Sequence, residues 1–124
     1  MHKIILSWPD KSLSPNARSH WAKKAKAAKL ALADGYYLAQ SSGWNRQSFA
    51  EYSGKIHVYS TFYAKTRNFP DADNMLASIK NHLDGIAKAL GVNDARFVHH
   101  PHVSDLVMKN GVVEIILTQE LEPK

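Results

Sequence analysis

The apolar residues of this chain fall into short runs of strand length and two longer stretches with helical spacing. Residues 3–8 form the first short run, which predicts an opening strand. Residues 56–63 are rich in β-branched and aromatic side chains, which favour a second strand. Residues 96–108 are predicted to be extended but interrupted by a proline, and residues 112–118 to form a last strand.

Two helices are predicted from apolar residues that recur at steps of three and four. The first runs from about residue 18 to residues 41–43, and its apolar stripe consists of Trp21, Ala25, Ala28, Leu32, Tyr36 and Ala39. The second begins at Asp71, a favoured N-cap residue, and ends at Gly91. Its apolar stripe consists of Leu76, Ile79, Leu83, Ile86 and Leu90.

These elements follow the order β-α-β-α-β-β along the chain. Asn110 and Gly111 predict a type I′ hairpin turn before the last strand. A length of 124 residues and an apolar fraction of 44% are typical of one globular domain. We therefore expect an α+β fold in which residues 1–124 form a single domain, a mixed sheet packed with two helices.

The sequence contains neither cysteine nor a long apolar segment. Without cysteine, disulfides, thiolate nucleophiles and cysteine-ligated zinc are excluded, so a metal would have to bind carboxylates, imidazoles or carbonyls. No apolar run reaches the ~18 residues of a membrane helix, and residues 1–8 do not have the pattern of a secretory leader. These features predict a soluble, cytoplasmic protein with no membrane association.

The net charge of +5 is distributed unevenly along the chain. Residues 1–70 contain eleven Lys or Arg and three acids, whereas residues 71–124 contain five bases and eight acids. A basic half could attract a polyanion while the acidic half binds a metal, which is the combination that a phosphodiester-cleaving enzyme needs. The alternative is an ordinary solvated helix face.

Two acids stand at the start of the second predicted helix. Asp71 and Asp73 lie where free backbone N–H groups and the helix dipole favour negative charge. Their mutual repulsion would be relieved by a divalent cation, and oxygen ligands without sulfur suit Mg²⁺ or Mn²⁺. Alternatively, Asp71 only caps the helix and Asp73 only interacts with its dipole.

Helical spacing places Asp73, Ala77, Lys80 and Asp84 on one stripe beside the apolar face. In that position Lys80 could contact a scissile phosphate and stabilise the charge that develops there. The simpler interpretation is that Lys80 and Asp84 form an i,i+4 surface pair.

The order of these residues resembles that of a known family, the RusA Holliday-junction resolvases, in which D-x-D-N precedes a lysine, an Asp-Gly pair and a terminal acidic pair. The landmarks in this chain are PDADN (residues 70–74), Lys80, Asp84-Gly85 and GVND (residues 91–94). Residues 14–21 (SPNARSHW) also resemble the amino-terminal segment of phage and prophage members. The resemblance covers most of the chain and is weakest over residues 41–54.

This resemblance implies a homodimeric, Mg²⁺- or Mn²⁺-dependent endodeoxyribonuclease that makes paired nicks in four-way DNA junctions during recombination and repair. Asp71, Asp73 and Asp94 match the metal-binding acids of the family, and Lys80 matches its essential lysine. The chain departs from the pattern at Asn93, where the family usually has a second acid. Its amide carbonyl could bind the metal but would add no charge.

Several further residues are candidates for contacts with DNA. Lys23, Lys26, Lys65 and Arg67 could bind phosphates, although each could also be simply solvated. The resemblance adds Asn16 and Arg18, and Asn16 could otherwise serve only in a turn.

Three histidines and one tryptophan are weaker candidates for functional residues. Strand alternation places His100 and His102 on the face opposite His99, which disfavours a histidine metal site. Phosphate contacts or ordinary polar positions suit these histidines better. Trp21 belongs to the apolar stripe, so we expect it in the core or in a dimer interface rather than as a platform for base stacking.

Two other functions remain compatible with the sequence. One is a nuclease with the same chemistry that acts on other branched DNA, because branch recognition depends on surface shape rather than on a motif. The other is a non-catalytic DNA-binding module in which the acids are structural and Asn93 reflects lost activity.

Overall fold

Alternate side chains of each strand point toward the helices, as the two-residue period of a strand requires. A computed structural model describes residues 3–18, 20–44, 46–51 and 54–119. Its main elements are β1 (Lys3–Ser7), α1 (Trp21–Ser41), α2 (Arg46–Glu51), β2 (Ile56–Tyr63), α3 (Ala72–Ser78), α4 (Lys80–Leu90), β3 (Phe97–Val103) and β4 (Val112–Gln119). Short 3₁₀ turns precede α1 and β3, at Lys11–Leu13 and Asp94–Arg96.

The strands form one four-stranded sheet in the order β1-β4-β2-β3. β4 runs antiparallel to both β1 and β2, whereas β2 and β3 are parallel. The predicted α+β class and mixed sheet are therefore confirmed. The proline that interrupts the third strand is Pro101, and it is tolerated because β3 is an edge strand, where only one side of the strand has to supply ladder donors.

The helices differ from the prediction in two places. The second predicted helix is divided at Ile79, whose backbone (φ −103°, ψ 10°) leaves the helical region between α3 and α4. Its N–H is shared between the carbonyls of Met75 and Leu76, both at 3.2 Å, and its side chain is fully buried. The short helix α2 is not predicted by the sequence, and it lies within residues 41–54, where the resemblance to the resolvases is weakest.

A turn forms at Asn110 and Gly111, but it is not the predicted hairpin turn. Both residues have positive φ, 66° and 69°, as a type I′ turn requires, whereas the hydrogen bond from the Gly111 N–H to the Met108 carbonyl (2.9 Å) closes a turn around Lys109 and Asn110. The strands on either side of it, β3 and β4, are not neighbours, because β2 lies between them. The Asn-Gly motif therefore predicts that the backbone turns here, but it does not predict which strands pair.

Among the residues that the structure describes, no helix is both long enough and apolar enough to cross a membrane.

Small residues let α1 approach α4 closely. The deepest line of α1 is Ala31, Gly35 and Ala39. Ala39 belongs to the predicted apolar stripe, whereas Ala31 and Gly35 each lie one position before a predicted member. A Cβ atom at Gly35 would lie 2.1 Å from the carbonyl oxygen of His82, and one at Gly85 would lie 2.1 Å from that of Leu32. The two helices therefore touch backbone to backbone, and each glycine is required for that contact.

We expect Gly85→Ala to destabilise the protein by roughly 1–3 kcal/mol or more, because the methyl group would force the helices apart. Intrinsic helix propensity predicts the opposite sign, a gain of about 1 kcal/mol. Urea unfolding of the two proteins measures the difference, with Lys88→Ala, an exposed change on the same helix, as the control. A more stable Gly85→Ala protein would contradict the close packing.

His82 is buried beside this contact, with 6% of its surface exposed. Burial lowers the pKa of its imidazole, and the nearby carboxylate of Asp34 opposes that change without cancelling it. Among the described residues, its Nδ1 has no hydrogen-bond partner. The folded protein therefore holds this imidazole in its neutral form at neutral pH.

Stability should consequently fall as the pH drops below about 6.5, the ordinary histidine pKa. In that range the unfolded chain takes up a proton at His82 that the folded chain does not, so acid favours unfolding by up to about 1.4 kcal/mol per pH unit. Urea unfolding at pH 5, 6, 7 and 8 should show a shallower pH dependence for His82→Gln than for the unmodified protein. If the free energy of unfolding changed equally with pH in the two proteins, His82 would be excluded as the source of the pH dependence.

Candidate metal and phosphate site

A cavity of about 310 Å³ opens where α3, α4 and β3 meet. Its floor is apolar, and its polar lining consists of Asp73, Lys80, Asp84, Asp94 and His99. We refer to it as the acidic cavity. It brings together side chains that are spread over 27 residues of the chain, from the first turn of α3 to the middle of β3.

Each polar side chain of the acidic cavity is positioned by a different local feature. Asp73 lies in the first turn of α3, where free backbone N–H groups stabilise negative charge. Lys80 and Asp84 are one turn apart on α4, with Nζ 3.6 Å from the Asp84 carboxylate. Asp94 lies in the 3₁₀ turn that follows α4. The break at Ile79 fixes the angle between the two helices that carry the first three of these residues.

The carboxyl groups of Asp84 and Asp94 are close enough to hydrogen bond. The pKa of Asp84 is raised, chiefly by burial and then by the hydrogen bond and negative charge of Asp94, while the ammonium of Lys80 acts in the opposite direction. A divalent cation bound beside these carboxyl groups would oppose this effect and favour the charged form of Asp84.

His99 completes the polar lining on the side of β3. Partial burial lowers the pKa of its imidazole, the charge of Asp94 raises it, and His100 and Lys80 lower it further. A neutral imidazole offers one N–H donor and one acceptor, so His99 could hold a water molecule or a phosphate oxygen. The prediction that His99 lies on the opposite strand face from His100 is confirmed by the register, which places His100 beside Tyr59 on the open face of the sheet.

Asp71 lies apart from the acidic cavity. Its Oδ1 accepts hydrogen bonds from the N–H groups of Asp73 (2.8 Å) and Asn74 (3.2 Å), so it is the N-cap of α3. It lines a neighbouring cavity of about 450 Å³, together with Asn16 and Asn74. The capping role proposed as the simpler interpretation of Asp71 is therefore present in the structure.

Asn93 also makes a local cap. Its Oδ1 accepts a hydrogen bond from the Ala95 N–H at 2.9 Å, and it is not among the residues that line the acidic cavity. The amide carbonyl that the sequence offered as a metal ligand is thus already engaged with the backbone. Its neighbour Asp94 does line the cavity.

The predicted phosphate contacts lie outside the acidic cavity and are exposed to solvent. Lys23 and Lys26 lie in the first turns of α1, and Lys65 and Arg67 lie in the segment between β2 and α3. Arg18 is exposed in the amino-terminal segment, of which Ser19 lies outside the described residues. Trp21 is 76% exposed as the first residue of α1, so it does not belong to the core of the chain, and the dimer interface is the part of that expectation that stays a prediction.

The three acids predicted as metal ligands are therefore only partly brought together. Asp73 and Asp94 share the acidic cavity, whereas Asp71 does not line it. Within the described part of the chain, no group of three or more His, Asp or Glu side chains has the geometry of a preformed metal site.

The sequence interpretation did not assign a site role to Asp84 or His99. Helical spacing places Asp84 on the stripe of Asp73 and Lys80, and Asp84-Gly85 is a landmark of the resemblance, but neither feature predicts that Asp84 is a metal ligand. His99 was separated from the other histidines by alternation, and no sequence pattern places it beside the acids. Its position depends on the parallel pairing of β3 with β2, in which His99 is opposite Val58.

No family model matches the sequence. The chain is 45% identical over 118 residues to an uncharacterized protein of Xylella fastidiosa strain Temecula1, a match that covers 95% of this chain and 76% of that protein. Identity at this level over nearly the whole chain shows common descent. The chain therefore belongs to the same protein family as this uncharacterized Xylella fastidiosa protein.

Proposed function

We propose that this protein is an endodeoxyribonuclease that depends on Mg²⁺ or Mn²⁺ and nicks branched DNA, with four-way junctions as its principal substrate. The observation that carries the proposal is the acidic cavity, in which Asp73, Asp84 and Asp94 lie beside Lys80 and His99. Carboxylates for a hard cation and a cationic side chain for a phosphate in one cavity are the requirements of metal-assisted phosphodiester hydrolysis.

The oxygen donors of the acidic cavity are of the type that a hard divalent cation prefers, although within the described residues they are not preassembled around one. Asp73, Asp84 and Asp94 each offer carboxylate oxygens, and Asp94 lies close enough to Asp84 to add to the effect of burial in raising its pKa. Asp73, Asp84 and Asp94 are the residues that would hold the metal. When bound, the cation would activate a water molecule and neutralise charge on the phosphate.

The remaining side chains can act on the phosphodiester directly. Lys80, whose side chain is 70% exposed, can turn from Asp84 toward a phosphate oxygen and stabilise the charge that develops during cleavage. His99 can orient the attacking water through its acceptor nitrogen, because its lowered pKa keeps the imidazole neutral. Asp71 supports the site by capping the helix that carries Asp73.

The type of DNA substrate is inferred from charge and from the resemblance to RusA resolvases. The exposed bases Lys23, Lys26, Lys65 and Arg67 provide a sequence-independent attraction to phosphates. The resemblance adds four-way junctions, a role in recombination and repair, and a homodimer. Two incisions placed symmetrically in a two-fold junction require two copies of the site, which agrees with a homodimer.

A non-catalytic DNA-binding module is the second candidate. It is favoured by the local capping roles of Asp71 and Asn93, which engage two of the four predicted metal ligands with backbone N–H groups. Binding of junction DNA without metal-dependent cleavage would support this candidate.

The test is incubation of the protein with a synthetic four-way junction, a linear duplex and a single strand, each with Mg²⁺, Mn²⁺ or EDTA. We expect nicking of the junction with either metal and none with EDTA. Asp73→Asn should lower the cleavage rate by at least about 100-fold while junction binding persists, because removing a metal ligand does not weaken attraction to the polyanion.

Asp105→Asn is the matched control for that variant, since Asp105 is an exposed carboxylate that does not line the acidic cavity. It should cleave at the unmodified rate. Full activity of Asp73→Asn would remove Asp73 from the site, and the absence of cleavage under all metal conditions would refute the nuclease proposal.

A pair of substitutions separates the two roles of Asp71. Asparagine caps helices as well as aspartate does, so Asp71→Asn should leave stability within about 0.5 kcal/mol, whereas Asp71→Ala should lose about 1 kcal/mol. If Asp71 acts only as a cap, both variants should retain metal-dependent cleavage under stabilising conditions. Thermal unfolding and junction cleavage are measured on the same samples, and an inactive but stable Asp71→Asn protein would show that its charge is needed at the metal.

A further inference from the structure

A third cavity, of about 580 Å³, lies between β1 and α1 and shares no lining residue with the acidic cavity. One wall is formed by Trp8 and Pro9, which follow β1, and the other by Ala31, Asp34 and Tyr37 of α1. The cavity extends to His82 of α4. Its volume lies within the range of small-molecule sites. We refer to it as the β1–α1 cavity.

The inner end of the β1–α1 cavity contains an unsatisfied polar group. His82 is 6% exposed, and its Nδ1 has no hydrogen-bond partner among the described residues. A buried ring nitrogen without a partner is uncommon in native proteins, because it has lost its hydrogen bonds to water without replacement. Because this nitrogen is closed to solvent, a ligand in the cavity would meet the neutral ring rather than the nitrogen, and the charge near this end of the cavity is that of Asp34.

The charge of the cavity selects the kind of ligand. Its lining contains two carboxylates, Asp10 and Asp34, and no Lys or Arg, although the chain as a whole carries a charge of +5. Asp10 is already engaged, since its Oδ1 accepts hydrogen bonds from the Ser12 N–H (2.9 Å) and hydroxyl (2.7 Å). Asp34 makes no hydrogen bond within the described part of the chain and lies close enough to His82 to influence its imidazole electrostatically. Such a lining repels phosphates and favours cations.

Aromatic and aliphatic side chains surround these polar groups. Trp8 and Tyr37 line the cavity, and Leu30 and Tyr37 remain 58% and 67% exposed at its rim. A carboxylate together with aromatic rings is a combination that recognises an ammonium group. The exposed apolar side chains at the rim would in turn cover an apolar ligand body.

We propose that the β1–α1 cavity binds a small organic amine with an apolar body, whose ammonium group donates to the Asp34 carboxylate while the apolar body packs against Trp8 and Tyr37. The proposal is independent of the proposed nuclease activity, because the two cavities have no residue in common.

The experiment titrates the full chain with 2-phenylethylamine and follows backbone and imidazole resonances by NMR. 2-Phenylethanol and phenylacetate serve as probes of the same shape without charge and with the opposite charge. We expect saturable shifts at Ala31, Tyr37 and His82, with the amine binding about tenfold more tightly than the alcohol, and no saturable shifts with phenylacetate.

Two variants localise the binding. Asp34→Asn removes an exposed carboxylate and should abolish the preference for the amine over the alcohol. Ala27→Phe adds a ring at a half-buried position that lines the cavity and should prevent binding of both, while circular dichroism verifies that each variant is folded. Equal binding of the three probes, amine binding unaffected by both variants, or shifts confined to the acidic cavity would overturn the proposal. Shifts at the same residues on raising protein concentration alone would also overturn it, since a second copy would then be the occupant.

Discussion

The contact between the backbones of α1 and α4 is the constraint on which the rest of the structure depends. Gly35 and Gly85 leave each helix in contact with a carbonyl of the other, closer than any side chain would permit. This contact fixes the rotation of α4 about its axis. Because Lys80 and Asp84 face the acidic cavity while Leu83 and Ile86 face the core, the same rotation determines which side chains reach the candidate site.

The close approach has a second consequence on the opposite side of α4. It places His82 beside the β1–α1 cavity, in surroundings that lower its pKa and leave its Nδ1 without a hydrogen-bond partner among the described residues. One helix therefore contributes to two cavities, and their polar linings differ. The acidic cavity combines three carboxyl groups with a lysine, whereas the β1–α1 cavity combines two carboxylates with aromatic rings and has no lysine or arginine in its lining.

Two pairs of polar residues that are close in sequence have different environments in the structure. One pair lies at the start of α3 and the other follows the end of α4. Asp71 and Asp73 are two residues apart, yet Asp71 turns its carboxylate back onto the helix N–H groups while Asp73 faces the cavity. Asn93 and Asp94 are adjacent, yet Asn93 caps a 3₁₀ turn while Asp94 lies beside Asp84. In each pair a short polar side chain satisfies backbone donors that would otherwise have no partner, and the other remains available for chemistry.

The sequence by itself determined the local structure and the chemical character of this protein. Periodicity predicts the strands and the two helical stretches, and the residue types of Asp71 and Gly91 predict helix ends. The D-x-D-N motif and Lys80 lie on the helices that line the acidic cavity. These features depend on contacts between residues a few positions apart, and such contacts leave a regular pattern in the chain. The sheet order, the absence of a hairpin at Asn110-Gly111, the placement of His99 beside Asp94 and the separation of Asp71 from the cavity were decided only by the tertiary structure. These features depend on which distant segments of the chain pack together. That packing is determined by the whole core, so it cannot be predicted from a local sequence pattern.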